Sequence, residues 1–345
     1  MSAANALQSG LVIPAHPLAL DADGHYEPRR QRALTRYYHA AGAGGLAVGV
    51  HTTQFEIREH GLFETVLREA AEETRRLDAA TGRETVLIGG AVGQTDQAVR
   101  EAGIARDLGY HAVLLSLAAL PDATDAELER HCQAVADVLP VFGFYLQPAV
   151  GGRRLGRDFW QRFAQIPGIA GIKMAPFDRY ATLDVIRGLA EAGRLDDIPL
   201  YTGNDDTIVQ DLLTPFDLGF DEPVTVRGGL LGHWACWTRQ AVELLERCKR
   251  ARESGTVPAE LLKVGAQVTD MNAALFDTDN GFAGAIAGVN EVLRRQGLLS
   301  SARCLSDHER LSPGQSEALD RVTQIYPHLT DDAFIAAHID DWLEA

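Results

Sequence analysis

The sequence is poor in lysine. Its 345 residues include only Lys173, Lys249 and Lys263, against 29 arginines. Chemistry that needs an amine nucleophile therefore has three candidate side chains. The four cysteines form no Cys-x-x-Cys pair and no zinc-type cluster with histidine. This pattern predicts free thiols, with neither a disulfide framework nor structural zinc.

Other absences narrow the class of protein. No apolar run approaches the ~18 residues of a spanning helix, and no basic stretch followed by an apolar one opens the chain. The net charge of −16 argues against a nucleic-acid-binding surface. We therefore predict a cytoplasmic protein with no membrane and no nucleic-acid partner. The Walker-A, nucleophile-elbow and HExxH signatures are absent too.

Eight short apolar runs recur along the first two thirds of the chain, with amphipathic stretches between them. They occupy residues 11–14, 45–50, 85–90, 112–117, 141–146, 169–174, 199–202 and 224–227. Strand–helix alternation predicts a parallel sheet, and eight units predict closure into a (β/α)8 TIM barrel. After Trp234 the pattern is helical, over residues 237–254, 258–274, 283–296, 314–325 and 331–344. We predict an α/β fold with a barrel over residues 1–250 and a C-terminal helical region over 251–345.

Lys173 lies inside an apolar run, in the sequence GIAGIKMAP. Burial lowers the pKa of a lysine, and a neutral amine is the nucleophile of Schiff-base chemistry. Strand alternation puts Lys173 on the face of Gly171 and Ala175, which leaves space around it. The alternative is a buried lysine paired with a carboxylate. Lys249 and Lys263 stand in charged helical surroundings and are interpreted as surface residues.

Polar residues follow two other predicted strands. Tyr145 ends the run before that of Lys173, where its phenol could relay protons at the barrel mouth, or be a half-buried aromatic. Thr52 and Thr53 follow the second run, where they could hold a small carboxylate or merely cap a turn. His16 and His51 also stand near strand ends, but no third ligand accompanies them, so no metal site is predicted.

These residues occur in the order of a known family. The chain resembles the dihydrodipicolinate synthase / N-acetylneuraminate lyase family of class I aldolases, over about residues 10–295. LVIPAHPLALDADGHYE is similar to its opening strand and HAAGAGGLAVGVHTTQFE to its threonine loop. GFYLQPAVGG is similar to its Tyr-x-x-Pro strand, GIAGIKMAPFD to its Schiff-base lysine strand, and LYTGNDD to its Gly-x-Asp loop.

The resemblance implies a TIM barrel, no metal or organic cofactor, and usually a tetramer, so we expect a homo-oligomer, dimer or tetramer. It implies that Lys173 forms an imine with pyruvate or another 2-oxo acid and that Tyr145 relays the proton. It further implies that Thr52 and Thr53 bind the carboxylate. The loop of Gly203, Asn204 and Asp205 would line the side of the second substrate, such as an aldehyde.

Departures from the family pattern refine the expected activity. The family loop reads Thr-Thr-Gly-Glu, whereas here Gln54 and Phe55 follow Thr53 and Glu56 comes one place late. The synthases carry an arginine where this chain has Val150, and a second tyrosine where it has SLAALPD. Both losses argue against dihydrodipicolinate synthesis. The prediction is a Schiff-base lyase or aldolase; the alternatives are an imine-dependent sugar-acid dehydratase and a non-catalytic barrel that binds a 2-oxo acid.

Overall fold

Ten strands and fourteen α-helices make up the computed structural model of the protein, which describes residues 2–344. The strands are β1 Val12–Pro14, β2 Gly45–Val48, β3 Val86–Ala91, β4 Ala112–Leu115, β5 Val141–Leu146, β6 Ile169–Ala175, β7 Leu200–Thr202, β8 Pro215–Phe216, β9 Val224–Thr225 and β10 Gly228–Leu231. The helices are α1 Ala3–Ser9, α2 Pro28–Ala41, α3 Phe63–Thr81, α4 Thr95–Asp107, α5 Asp125–Ala136, α6 Arg157–Ala164, α7 Arg179–Glu191, α8 Ile208–Leu213, α9 Thr238–Glu253, α10 Ala259–Leu275, α11 Ala285–Arg295, α12 Gln315–Ile325, α13 Asp332–Ala336 and α14 Ile339–Glu344. No helix within this range has the length and apolarity that a membrane span requires.

Eight of the strands form a parallel barrel. Their order is β1-β10-β7-β6-β5-β4-β3-β2, and the two ends of the series meet where Ala15 bridges Ala47. The His16 amide donates a hydrogen bond of 2.8 Å to the Ala47 carbonyl at the same seam. The predicted (β/α)8 barrel with C-terminal helices is therefore confirmed. In such a barrel, binding sites lie at the carboxyl ends of the strands.

The eighth barrel strand lies later than the sequence predicts. Residues 224–225 pair with β8 in an antiparallel hairpin, and β10 takes the place in the barrel instead. Glycine is depleted in strands, so the GGLL segment does not stand out as one. Here it is required, because a Cβ on Gly228 would lie 2.2 Å from the Leu11 carbonyl oxygen.

Two apolar layers follow from strand alternation. Side chains on one face of each strand fill the barrel interior, among them Ile13, Ile88, Leu114, Phe142 and Leu230. Those on the other face pack under the surrounding helices in a larger cluster. Each barrel strand is thus buried on both faces, which explains the near-continuous apolar runs of the sequence. Which of the two layers a polar side chain enters decides whether it can reach the barrel mouth.

The chain beyond residue 300 packs against the barrel. Arg36 on α2 pairs with Glu73 at 2.6 Å and donates to the Trp342 carbonyl. The buried Asp331 accepts a hydrogen bond of 2.7 Å from the Tyr37 hydroxyl. The single terminal helix predicted from Asp331 is two short ones, α13 and α14, which break around residues 337–338. The predicted division near residue 250 stays a prediction.

We expect Asp331→Ala to lower the free energy of unfolding by about 2 kcal/mol, since it leaves buried donors unpaired. The donors are the Tyr37 hydroxyl and the Arg239 amide, both bonded to the same carboxylate oxygen. Urea unfolding of the variant measures the loss. The exposed Asp340→Ala serves as control and should change stability by less than about 0.5 kcal/mol. Equal effects of the two substitutions would mean that this contact does not anchor the tail.

Candidate active site

A cavity opens at the carboxyl end of the barrel strands, and the Lys173 side chain from β6 enters it. The amine nitrogen lies 4.4 Å from the centre of the Phe144 ring, which is paired with Lys173 across β5 and β6. Lys263 is largely exposed and pairs with Glu260, whereas Lys249 is half-buried and bonds both Glu246 and the Gly10 carbonyl. Of the three lysines, only Lys173 is held in an apolar, enclosed site.

The cavity is small and mostly apolar. Its volume is about 90 Å³, room for several water-sized groups. The lining side chains that carry polar groups are His51, Thr52, Gln147, Lys173 and Asp205. The apolar lining includes Leu114, Phe144, Leu146, Phe177, Phe276, Phe282, Ile286 and Val289. A few polar groups in an apolar concavity are typical of a site for a small molecule.

Lys173 and Asp205 influence each other's ionisation across the cavity. Burial lowers the pKa of the Lys173 amine to about 8, and the charge of Asp205 opposes that shift. Burial raises the pKa of the Asp205 carboxyl to about 7, against the charge of Lys173. Burial also lowers the pKa of His51 to about 4, with Lys173 adding to the effect. The cavity thus combines an amine and a carboxyl that both titrate near neutral pH.

The loop after β7 is shaped around the lysine. A Cβ on Gly203 would lie 2.5 Å from Cε of Lys173, so only glycine leaves the lysine its position. Asn204 does not line the cavity; its side-chain oxygen accepts from the Phe177 amide, and its amide group donates to Asp211 at 3.0 Å. Asp205 does line it. Of the three predicted residues, Gly203 and Asp205 therefore line the cavity, and Asn204 holds the loop in place.

The two threonines have different environments. The Thr53 hydroxyl donates to the His16 carbonyl at 2.6 Å and accepts from the Gly49 and Val50 amides, so the turn uses its hydrogen-bonding capacity. Thr52 lines the cavity. Its hydroxyl and amide have no hydrogen-bond partner among residues 2–344. Of the predicted carboxylate-binding pair, Thr52 is the one that is free to bind.

Tyr145 lies outside the cavity, contrary to the expectation that it stands beside Lys173. Residues 144 and 145 point to opposite sides of β5, and it is Phe144 that enters the barrel. The Tyr145 ring packs 5.4 Å from the Trp160 ring under α6, and its hydroxyl accepts from the Leu155 amide at 3.2 Å. Tyr145 therefore shares the helix-facing side of β5 with Val141, and its hydroxyl does not stand beside the Lys173 amine.

Sequence reasoning missed the wall that the C-terminal helices provide. Phe276, Phe282 and Ile286 line the cavity, although they follow the barrel by tens of residues. Phe177 and Phe282 both have positive φ, +50° and +70°. The centres of their rings lie 6.1 Å apart, in an edge-to-face arrangement. Left-handed backbone at two large residues is costly and tends to occur at functional sites. Nothing local in the sequence marks these aromatic residues as cavity residues.

The altered threonine loop is supported by the tail. Gln54 has φ of +70°, a conformation that favours glycine, which is the residue the family carries there. Its side-chain oxygen accepts a hydrogen bond of 2.6 Å from the Leu305 amide. This contact explains how glutamine is accommodated at that position, because a bond from outside the loop stabilises the strained residue.

Metal-ligating side chains are not concentrated at the cavity. Among residues 2–344, the group of three that comes within ligand distance is Asp21, Asp23 and His25. It lies in an exposed turn after β1, where Asp21 already accepts hydrogen bonds from the backbone amides of the other two. The hydrogen bonds of the turn account for this arrangement.

The titration of Lys173 gives a pH prediction. If Lys173 attacks a carbonyl, only its neutral form reacts, so the rate of borohydride trapping at low pyruvate concentration should rise about tenfold per pH unit and level off above about pH 8. Asp205 and His51 are the titratable groups facing the amine. Quenched-flow trapping with mass detection measures the profile. A rate still rising near pH 10, where free lysine titrates, would contradict the effect of burial.

Comparison with known proteins identifies the family. Residues 8–322 match the sequence profile described as the Dihydrodipicolinate synthetase family. The chain belongs to that family. Its relatives include the N-acetylneuraminate lyase of Citrobacter koseri, 26% identical over 63% of this chain and 70% of the relative. The 4-hydroxy-tetrahydrodipicolinate synthase of Methylococcus capsulatus is 30% identical over 58% of this chain and 65% of the relative.

Solved structures in the family share the fold. N-acetylneuraminate lyase from Fusobacterium nucleatum superposes with a TM-score of 0.72 at 16% identity, covering 92% of this chain and 99% of that one. A prophage protein of the dihydrodipicolinic acid synthase family from E. coli K12, in complex with pyruvate, gives 0.72 at 19% identity, covering 93% and 98%. These matches confirm the barrel. Membership of the family makes this chain a class I aldolase-type lyase.

Proposed function

We propose that this lyase forms an imine between Lys173 and pyruvate or another 2-oxo acid, and then makes or breaks a carbon–carbon bond. The observation that carries the proposal is the environment of Lys173. Its amine stands in a small apolar cavity at the barrel mouth, where burial lowers its pKa to about 8. Near pH 7 a larger share of this amine is therefore neutral than of a free lysine.

The chemistry follows from that amine. The neutral Nζ attacks C2 of the 2-oxo acid, the carbonyl oxygen takes up a proton, and water leaves to give the iminium. The iminium then accepts the electron pair released when a bond to C3 breaks. No organic cofactor or metal is needed as electron sink, because the protonated imine supplies that role.

The substrate carboxylate has candidate partners in the threonine loop. The amides of His51 and Thr52 and the Thr52 hydroxyl have no hydrogen-bond partner among residues 2–344, and both residues line the cavity. Three donors on one side of a small cavity suit a carboxylate group. We assign carboxylate binding to Thr52, and to Thr53 only the task of fixing the turn through its hydroxyl.

The second substrate, an aldehyde in the direction of synthesis, would approach along the loop of Gly203 and Asp205. The remaining cavity wall is apolar and aromatic, formed by Phe177 and Phe282. Val150, at the place of the synthases' arginine, lines the cavity as well. A synthase that recognises an acidic second substrate would lose its cation at that position. The site therefore favours a lyase over dihydrodipicolinate synthesis.

Two other functions remain as alternatives. A sugar-acid dehydratase would use the same imine. A non-catalytic barrel that binds a 2-oxo acid is favoured by the placement of Tyr145 outside the cavity. A panel of 2-oxo acids, aldehydes and sugar acids separates the three, with products followed by mass spectrometry. Release or consumption of pyruvate supports the lyase; loss of water from a sugar acid supports the dehydratase; imine trapping without turnover supports the binding barrel.

We propose a homo-oligomer, a dimer or tetramer, in the cytoplasm. Light scattering of the purified chain tests the assembly. A monomer at micromolar concentration would contradict it.

A further inference from the structure

Imine chemistry needs a group that takes and returns protons. A proton must reach the carbonyl oxygen as the carbinolamine forms, and one must leave C3 as the iminium becomes an enamine. The resemblance assigns this task to Tyr145, but its hydroxyl is bonded to the Leu155 amide on the far side of β5. If the proposed imine function holds, another residue in the cavity has to supply the proton transfer.

The polar side chains of the cavity leave few choices. Thr52 and Gln147 do not exchange protons readily near neutral pH. His51 is held neutral, since burial and the charge of Lys173 lower its pKa to about 4, which makes it a weak base. Asp205 is a carboxyl whose burial moves its titration to the neutral range. A catalytic base works best when it titrates near the working pH, which favours Asp205.

The geometry of Asp205 gives independent support. Its oxygen Oδ1 is buried and has no hydrogen-bond partner within residues 2–344, although nearly all buried polar atoms in proteins have one. The residue lines the same cavity as Lys173. The charges of Lys173 and Asp205 act on each other across this cavity. An unpartnered buried oxygen in the cavity indicates a place for a substrate group.

The backbone around Asp205 is held from two sides. Asn272 on α10 donates to the Asp205 carbonyl at 2.6 Å, and Thr269 donates to the Asp206 carbonyl at 2.7 Å. On the other side, the Asn204 side chain ties the loop to the Phe177 amide. The C-terminal helix α10 thus fixes a barrel loop. Such fixed placement is what a proton-transfer group requires, because its efficiency depends on position.

We propose that Asp205 is the catalytic acid–base residue of the imine chemistry at Lys173. As the carbinolamine forms, the Asp205 carboxyl gives its proton to the carbonyl oxygen, and the resulting carboxylate takes a proton from the attacking nitrogen. In the next step the Asp205 carboxyl, now protonated again, gives its proton to the carbinolamine hydroxyl. The hydroxyl leaves as water while the nitrogen lone pair forms the C=N bond. The carboxylate then removes a proton from C3, and that C–H electron pair becomes the enamine double bond as the C=N electrons return to nitrogen. The last transfer reverses when C3 is protonated.

The test uses two readouts on the full chain with pyruvate as the probe. Borohydride trapping detects the imine, and NMR follows exchange of the pyruvate methyl protons for solvent deuterium, which requires the enamine. For Asp205→Asn we expect the trapped adduct to persist and the exchange rate to fall about 100-fold. Asp206→Asn is the matched control, because the neighbouring carboxylate does not line the cavity. It should exchange at the rate of the unaltered protein.

A second variant separates proton transfer from structure. In Asp205→Ala, added formate should restore part of the exchange by occupying the vacated place. Loss of exchange without any recovery in formate would give Asp205 a structural role and overturn the proposal. A purely electrostatic role would also be visible: loss of the negative charge lowers the pKa of Lys173 further, so trapping would become faster at pH 7 with exchange undiminished.

The other outcomes are equally decisive. Undiminished exchange in Asp205→Asn overturns the role of Asp205 while the adduct still supports the imine. Loss of exchange in Tyr145→Phe or His51→Gln, with Asp205→Asn unaffected, would overturn it in favour of that residue. If the unaltered protein forms no adduct with any 2-oxo acid, the proposed function itself fails, and the role of Asp205 fails with it.

Discussion

Replacement of Lys173 by alanine should reduce turnover by about 10⁴-fold or more, because it removes the covalent nucleophile rather than a supporting contact. The same change removes a cation from an apolar cavity, where burial already lowers its pKa. Stability should therefore stay the same or rise, since the cost of burying the charged amine exceeds its attraction to Asp205. Steady-state assays and urea unfolding measure the two effects. Loss of activity without loss of stability would indicate that Lys173 serves catalysis rather than folding.

The control for this substitution is Lys263→Ala. Lys263 is largely exposed and pairs only with Glu260 on its own helix, so its loss should leave both activity and stability nearly unchanged. Retained turnover in Lys173→Ala would show that Lys173 is not the nucleophile. A large loss of stability in that variant would instead support the alternative considered from the sequence, a lysine kept for a structural ion pair.

Gly203→Ala is expected to have the second largest effect, about a 100-fold loss of activity. The added Cβ would lie 2.5 Å from Cε of Lys173 and 2.9 Å from Cβ of Ala175. The strand carbon cannot move, so the lysine side chain must, and a displacement of about 1 Å at a reacting group costs about that factor. Activity assays and the rate of imine trapping both report the displacement.

Gly103→Ala is the matched control. Gly103 lies within α4, and a Cβ there meets no atom within 4 Å. Alanine at this position should leave activity unchanged and raise stability by about 0.5–1 kcal/mol, as is usual inside a helix. Equal activity of Gly103→Ala and Gly203→Ala would show that the close approach of the loop to Lys173 is not needed.

The barrel could be predicted because its information is local and repeated. Seven of the eight barrel strands coincide with the apolar runs of the sequence, since a strand buried on both faces reads as a continuous run. The eighth was misplaced by a few residues, because β10 begins with Gly228 and Gly229, which packing demands and propensity disfavours. The lysine was found for the same local reason: a charged residue interrupts an apolar strand.

Features that depend on long-range packing could not be predicted. The outward direction of Tyr145 depends on the register of β5 within the barrel, and a one-residue shift reverses which side chains enter it. The wall formed by Phe276 and Phe282 depends on how C-terminal helices fold back over the barrel mouth. The hydrogen bond between the Leu305 amide and the Gln54 side chain joins residues that are 251 positions apart. The order of motifs typical of the family indicates candidate residues, but only the fold shows which of them share the cavity.

The most direct experiment on Lys173 is to locate the imine. The protein is incubated with pyruvate, reduced with borohydride, digested and mapped by tandem mass spectrometry. We predict a single reduced adduct on Lys173, unchanged in Lys249→Ala and Lys263→Ala and lost in Lys173→Ala. An adduct on Lys249 or Lys263, or none with pyruvate or any other 2-oxo acid tried, would contradict Schiff-base formation at Lys173.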